Sequence, residues 1–216
     1  MRVDHLVWYS PVLADGERYF ASRMDRPSAY GGVHPGGGTE NSLLSLGDET
    51  YVEILARDPR QRATASLDSE LAGLDGQGLY HWAVGGVDLR TIVDHALRAS
   101  YAVSDIVGGG RRLPDGSWLG WECVGLHSHA FGALVPFFID WSGSAHPAAS
   151  APRGGRLSKI ELFSPHADEL NRLFQTLGLD FSASRRNKPG ITVTLETRNG
   201  SQQLTSFDPV PRGFII

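Results

Sequence analysis

Residues 3–24 read VDHLVWYSPVLADGERYFASRM: a short apolar run, a Ser-Pro break, then a segment with helical spacing. The same design returns at residues 79–100. There the strand LYHWAV precedes a helix whose apolar positions Leu89, Ile92, Val93, Ala96 and Leu97 form one stripe. It returns again at residues 157–177, where LSKIELFSP precedes Leu170, Leu173, Phe174 and Leu177. Aligning the copies places His5 opposite His81 and opposite Lys159. A sequence that repeats a strand–helix unit is read first as a duplicated fold.

Further strands follow each helix. Segments 41–46 and 51–55 flank the turn Gly47-Asp48-Glu49-Thr50, a hairpin signal. The second copy continues through 103–107, 117–124 (after the turn Pro114-Asp115-Gly116) and 135–141; the third through 191–197 and 202–206, joined by Asn199-Gly200. The expected class is α+β: tandem βαβββ modules at about 1–74 and 75–147, forming a curved mixed sheet around a cleft. The Ser-, Ala- and Pro-rich stretch 142–155 reads as a linker, and 156–216 as a C-terminal βαββ half-module. Helices cover one sheet face, which leaves the concave face for ligand.

Composition narrows the function. The 216 residues carry 20 Lys+Arg against 24 Asp+Glu, a net charge of −4, with 41% hydrophobic and 20% charged residues. That is ordinary globular usage, with no basic stripe for nucleic acid and no apolar run long enough for a membrane span. The start, Met1-Arg2-Val3-Asp4-His5, meets an acid at once and shows no secretory signal, so a cytoplasmic location is expected. The single cysteine, Cys123, forbids an intramolecular disulfide and Cys-based metal clusters. The expected partner is a small molecule, bound by a monomer or homodimer.

Strand alternation groups His5 with Val7 and Tyr9, Glu53 with Tyr51 and Leu55, His81 with Ala83, and Asp140 with Phe138. Ionisable groups inside apolar strands are costly unless paired or bound to a cation. Two imidazoles and one or two carboxylates in matched positions suit a divalent metal with open coordination positions. The alternative is that the histidines cap strand starts and the acids sit in salt bridges. The glycine-rich stretch 31–41 permits close backbone approach to a ligand, with His34, Thr39 and Asn41 as polar contacts; a plain surface turn is the competing reading. Arg111 is placed to clamp a carboxylate, or is one of an exposed pair with Arg112. Trp121 is one of four strand tryptophans and a candidate for the wall of an apolar pocket.

DHLVWYSP, the segment GGVHPGGGTENSLLSLGDETYVEILA, the HWAV strand and the LVPFFIDW strand resemble glyoxalase-like members of the vicinal oxygen chelate superfamily. The resemblance implies a metal (iron, manganese, nickel or zinc) held by His5, Glu53, His81 and Asp140, although glutamate is usual where Asp140 stands. It implies a lyase, isomerase or ring-cleaving dioxygenase acting on a small oxygen-chelating metabolite, with Glu53 or Asp140 as the base and the glycine-rich stretch on the substrate side, where His34 is a further catalytic candidate. Metal-free drug-binding relatives supply the rival reading, a protein that uses no cofactor and sequesters a small apolar ligand. Fold alone does not choose between these.

Overall fold

The computed structural model describes residues 1–34, 36–61, 65–113 and 116–213. Pro35 and the start of the expected turn at Pro114-Asp115 lie outside them. In chain order the first module is β1 (Arg2–Tyr9), α1 (Leu13–Met24), β2 (Ala29–His34), β3 (Thr39–Ser45) and β4 (Tyr51–Arg57). A helix α2 (Ala65–Ala72) leads to the second module. This comprises β5 (Gly78–Gly85), α3 (Leu89–Arg98), β6 (Ala102–Val103), β7 (Val107–Arg112), β8 (Trp118–Val124), β9 (Leu126–His127) and β10 (Phe137–Asp140). The third comprises β11 (Gly155–Ser164), α4 (Ala167–Thr176), β12 (Ala183–Arg185), β13 (Gly190–Thr197) and β14 (Gly200–Thr205). Among the described residues no helix is long and apolar enough to cross a membrane.

The first two modules share one eight-stranded mixed sheet, ordered β2-β3-β4-β1-β5-β10-β8-β7. Its outer strands β2 and β7 come into contact, so the sheet curls until its edges nearly meet. β1 and β5 pair antiparallel at the centre, and each pairs in parallel with the last strand of its own module. α1 and α3 bury Phe20, Met24, Ile92 and Ala96 against Leu6, Trp8, Ile54, Trp82 and Phe138. The opposite face carries Val7, Tyr9, Leu55, Ala83, Phe137 and Ile139. Period-two alternation sorts the two sets.

Two departures from regular pairing shape the site. The β1/β5 ladder slips between Val3 and His5, which leaves Asp4 out of register. Such a bulge re-aims a side chain, and Asp4 is fully buried, hydrogen-bonded to its own neighbour His5. The glycine-rich stretch, expected as a loop or turn, is partly strand: β2 hairpins onto β3 through residues 36–38. Likewise the expected strand 103–107 divides into β6, which pairs with β9, and the start of β7, where Gly108, Gly109 and Gly110 continue the sheet edge.

The third module forms its own sheet, β12-β11-β13-β14, with the short β12 beyond the two strands expected after its helix. Its core, including Leu162, Leu170, Phe174 and Val193, is continuous with the helix-side core of the first two modules. Phe181 packs edge-on against Trp82, ring centroids 4.9 Å apart. The stretch read as a linker is anchored: Ser45 donates its N–H to the Pro152 carbonyl, and Gly154 donates to the Ser45 carbonyl.

Candidate active site

The concave face of the curled sheet holds a cleft of about 280 Å³. Its polar lining includes His5 from β1, His34 from β2, Thr39 and Asn41 from β3, Glu53 from β4 and Arg111 from β7. Trp121, Cys123, Phe137, Ile139 and Trp141 supply the opposing wall. The sequence-expected residues His5, His34, Thr39, Asn41, Glu53, Arg111 and Trp121 are therefore gathered around one space, because the curled sheet brings β7 and β8 over β2 and β3.

Glu53 is the hub, at 7% exposure. Asn41 Nδ2 donates to its Oε1 at 2.6 Å, His34 Nε2 lies 3.5 Å from the same oxygen, and His5 Nε2 lies 3.8 Å from Oε2. His34 Nδ1 meets the Thr39 hydroxyl at 2.8 Å. Burial pulls the His34 pKa down, against the opposing field of Glu53, which favours a neutral ring.

Behind His5 runs a second chain of contacts. His5 Nδ1 is 2.9 Å from Asp4 Oδ1. Trp141 Nε1 donates to Asp4 Oδ2 at 3.1 Å, and His146 Nε2 lies 3.2 Å from the same oxygen. His146 Nδ1 accepts the Ala148 N–H, so its proton sits on Nε2 and points at Asp4. Burial by itself would raise the Asp4 carboxyl. The hydrogen bonds from His146 and His5 more than offset this and hold it well below the usual carboxylate range. An ionised Asp4 accepts the Nδ1 proton of His5 and so turns Nε2 toward Glu53. Tyr51 stacks on the His5 ring at 4.7 Å.

His81 and Asp140 are not brought to this group. Asp140 is exposed and accepts the Ser142 N–H at 2.7 Å, while Ile139 takes the cleft-facing position on β10. Asp140 does share a face with Phe138, as alternation requires, but that face belongs to the helix side. The register explains it. β1 pairs Val7 with Glu53, and β5 pairs Ala83 with Phe137. The interval from Leu13 to Leu89, where the two helices begin, also relates His5 to His81 and Val7 to Ala83, so the counterpart of Glu53 in the second module is Phe137. Its ring is 5.3 Å from His5 and stacks on His81 at 5.2 Å. His81 is buried, with Gly213 packed against its Nε2 side. Burial, followed by the fields of His5 and His129, lowers its pKa to about 3.

Among the described residues no three His, Cys, Asp or Glu side chains converge as a metal-ligand set. An aromatic ring stands where the second module would place its carboxylate, so the four expected ligands do not fit a shared ion. Sequence pattern does not single out Asp4, Tyr51, Phe137, Trp141 or His146 as site residues. Asp4 and His5 are adjacent, and alternation sends adjacent residues to opposite faces unless a bulge intervenes. Cys123 lines the cleft, but burial pushes its thiol well above the ordinary value, so it is no thiolate nucleophile at neutral pH.

Comparison with known families and structures places this geometry. A family model described as a glyoxalase-like domain matches residues 3–178. A hypothetical protein from Staphylococcus aureus superposes with a TM-score of 0.64 at 15% identity, covering 94% of this chain and 84% of that one. A variant of methylmalonyl-CoA epimerase from Streptomyces coelicolor, in complex with 2-nitronate-propionyl-CoA, has a TM-score of 0.50 at 17% identity. That match covers 66% of this chain and 99% of the epimerase. At such identities the likeness is one of fold. Comparison with curated proteins finds no match. The duplicated module, the curled sheet and the matched span together show that the chain belongs to the glyoxalase-like domain family, of the vicinal oxygen chelate superfamily.

Proposed function

We propose that this protein is an acid–base enzyme of the isomerase or lyase type, acting on a small oxygen-bearing metabolite in the cleft between β1–β4 and β7, β8 and β10. The observation that carries the reading is Glu53: a carboxylate in an apolar-walled cleft, aimed by Asn41 at 2.6 Å, with His5 Nε2 at 3.8 Å. Glu53 takes a proton from carbon beside a carbonyl, leaving an enolate. The proton returns to a neighbouring atom of that enolate either directly from the Glu53 carboxyl or through His5, whose Nε2 accepts it from Glu53 and hands it on while Asp4 holds Nδ1. Thr39 and His34, hydrogen-bonded to each other at 2.8 Å, line the cleft beside Glu53. The expected His5, His81, Glu53 and Asp140 set is not assembled, so no step is routed through a metal.

Proton NMR in deuterium oxide tests this on a panel of small 2-oxo acids, hydroxyketones and acyl thioesters. The expected result is catalysed exchange of the carbon-bound proton, reduced about 100-fold or more in Glu53→Gln. The aromatic lining by Trp121, Phe137 and Trp141 favours a second reading, ligand sequestration. Tight binding with no exchange, unchanged in Glu53→Gln, would establish that reading and overturn the first.

A further inference from the structure

Arg111 is a buried cation that none of the described residues neutralises. It projects from β7 at 8% exposure, between the cleft and an outer groove lined by Tyr30, Arg60 and Trp118. Arg60 in that groove is tied to Asp58 and Glu40. Arg111 has no hydrogen bond or ion pair with any described residue. Glu53 exerts a field on it but is hydrogen-bonded to Asn41 and lies outside ion-pair distance. Burial pulls the Arg111 pKa down from its ordinary value, although the guanidinium stays charged at any physiological pH.

The backbone opposite is built to admit this guanidinium. A side-chain carbon at Gly32 would lie 2.6 Å from Arg111 Nη1, and one at Gly31 3.2 Å from Nη2. Two consecutive glycines in β2 thus leave room that any other residue would fill. Asn41 Oδ1 abuts the same face of Gly31 and is buried with no hydrogen-bond partner. An uncompensated cation and an unsatisfied acceptor therefore adjoin one corner of the cleft, while Trp121, Phe137 and Ile139 form an apolar wall. Buried charge and buried polar atoms left in this state cost stability unless a ligand completes them.

We propose that the substrate is a small organic carboxylate with an apolar body, and that Arg111 binds its carboxylate through the planar fork of the guanidinium. A hydroxyl on the same molecule would donate to Asn41 Oδ1. The proposal rests on the acid–base reading for its link to catalysis but not for the anion site itself. Arg111 here orients substrate against Glu53 and sets specificity; it takes no proton.

Isothermal titration with phenylpyruvate and with its methyl ester, on the full chain, reads the site directly. The acid is expected to bind at least about tenfold more tightly than the ester, as charge-assisted pairing in a desolvated site requires. Arg111→Met should erase that preference, and Arg111→Lys should retain part of it. Because the free protein carries the cation uncompensated, Arg111→Met should also raise Tm, whereas an arginine with a structural role would lower it on removal. Equal affinity for acid and ester, no binding of either, an undiminished preference in Arg111→Met, or a lower Tm of that variant would each overturn the proposal. Acid preference without deuterium exchange leaves the anion site standing and removes the acid–base reading. Exchange on acid and ester alike, at equal affinity, does the opposite.

Discussion

Asp4 is the residue on which the state of His5 depends. Its two oxygens meet three polar groups, from His5, Trp141 and His146, and hold the imidazole proton on Nδ1. Nitrogen-15 NMR of imidazole-labelled protein should therefore find neutral His5 protonated on Nδ1 and His146 on Nε2; the reverse tautomer of His5 would remove it from the acid–base chemistry. In Asp4→Asn the tautomer loses its anchor, and exchange activity should fall about 10- to 100-fold while the affinity for an inert carboxylate changes little. His81 belongs to this scale too, with the opposite consequence. Its folded pKa, about 3, lies below the unfolded value of 6.5. Between those limits the unfolded chain binds a proton that the folded chain refuses, so stability falls as pH drops below 6.5 and is level above it. The slope from this one group is at most about 1.4 kcal/mol per pH unit. Denaturant titrations at pH 7, 5.5 and 4.5 should show it, and His81→Phe should flatten it; an unchanged slope would show that His81 titrates normally. Asp4, whose pKa is depressed, adds its own loss only as pH falls toward and below its unfolded value of 3.8.

At the scale of elements, the bulge in β1 and the close approach of β5 make the site. A side chain at Gly85 would run into the Asp4 carboxylate. Gly85→Ala should therefore disturb the Asp4–His5 pair and lower exchange activity by more than its cost in Tm explains. A proportional loss of both would show that the bulge has no special role. Gly16 provides the structural control on α1. Its Cβ would sit 2.5 Å from Ile54 Cγ2, so Gly16→Ala should cost about 1–3 kcal/mol by overpacking. It should leave the His5 tautomer untouched, because the clash falls on the helix side of the sheet. The hairpin of β2 with β3 was legible as glycine-rich chain but not as strand. Glycines weaken a strand signal, and here they serve a cation on β7 that is distant in sequence.

Across the whole molecule, the third module is part of the core. Trp82 packs on Phe181, Gly154 fits against Leu44 and Met24, and Thr197 donates a hydrogen bond to the Arg23 carbonyl. After β14 the chain returns to the central sheet, where Phe207 packs on Tyr9 and Gly213 donates its N–H to Glu70. Unfolding should thus be a single transition by fluorescence and circular dichroism, and a chain ended at Ser150 should expose apolar surface, bind a hydrophobic dye and lose that transition. A cooperative, dye-negative truncated protein would show the third module to be dispensable. The curled sheet also makes the site one-sided. The part of the concave face around His5, Glu53 and Arg111 is open as the cleft, whereas the part around Tyr9, Tyr80 and His81 is filled by Leu71 and Leu74, Phe207 and the chain leading to Gly213.

Pattern along the chain was enough for the repeat, the two faces of each central strand, the helices and most of the cleft residues, because apolar periodicity and turn chemistry are local. His5, Glu53, Asn41, His34 and Arg111 could be singled out as polar groups in apolar or glycine-rich company. Their meeting at one cleft, and the exclusion of Asp140 and His81 from it, depended on tertiary structure. Which face of β10 looks inward is set by its register with β5, and that register puts Phe137 where a matching carboxylate was expected. Asp4 and His146 join the site for the same kind of reason: a one-residue slip in a ladder and the docking of residues 142–155 are settled by packing between segments far apart in sequence, which no local pattern records.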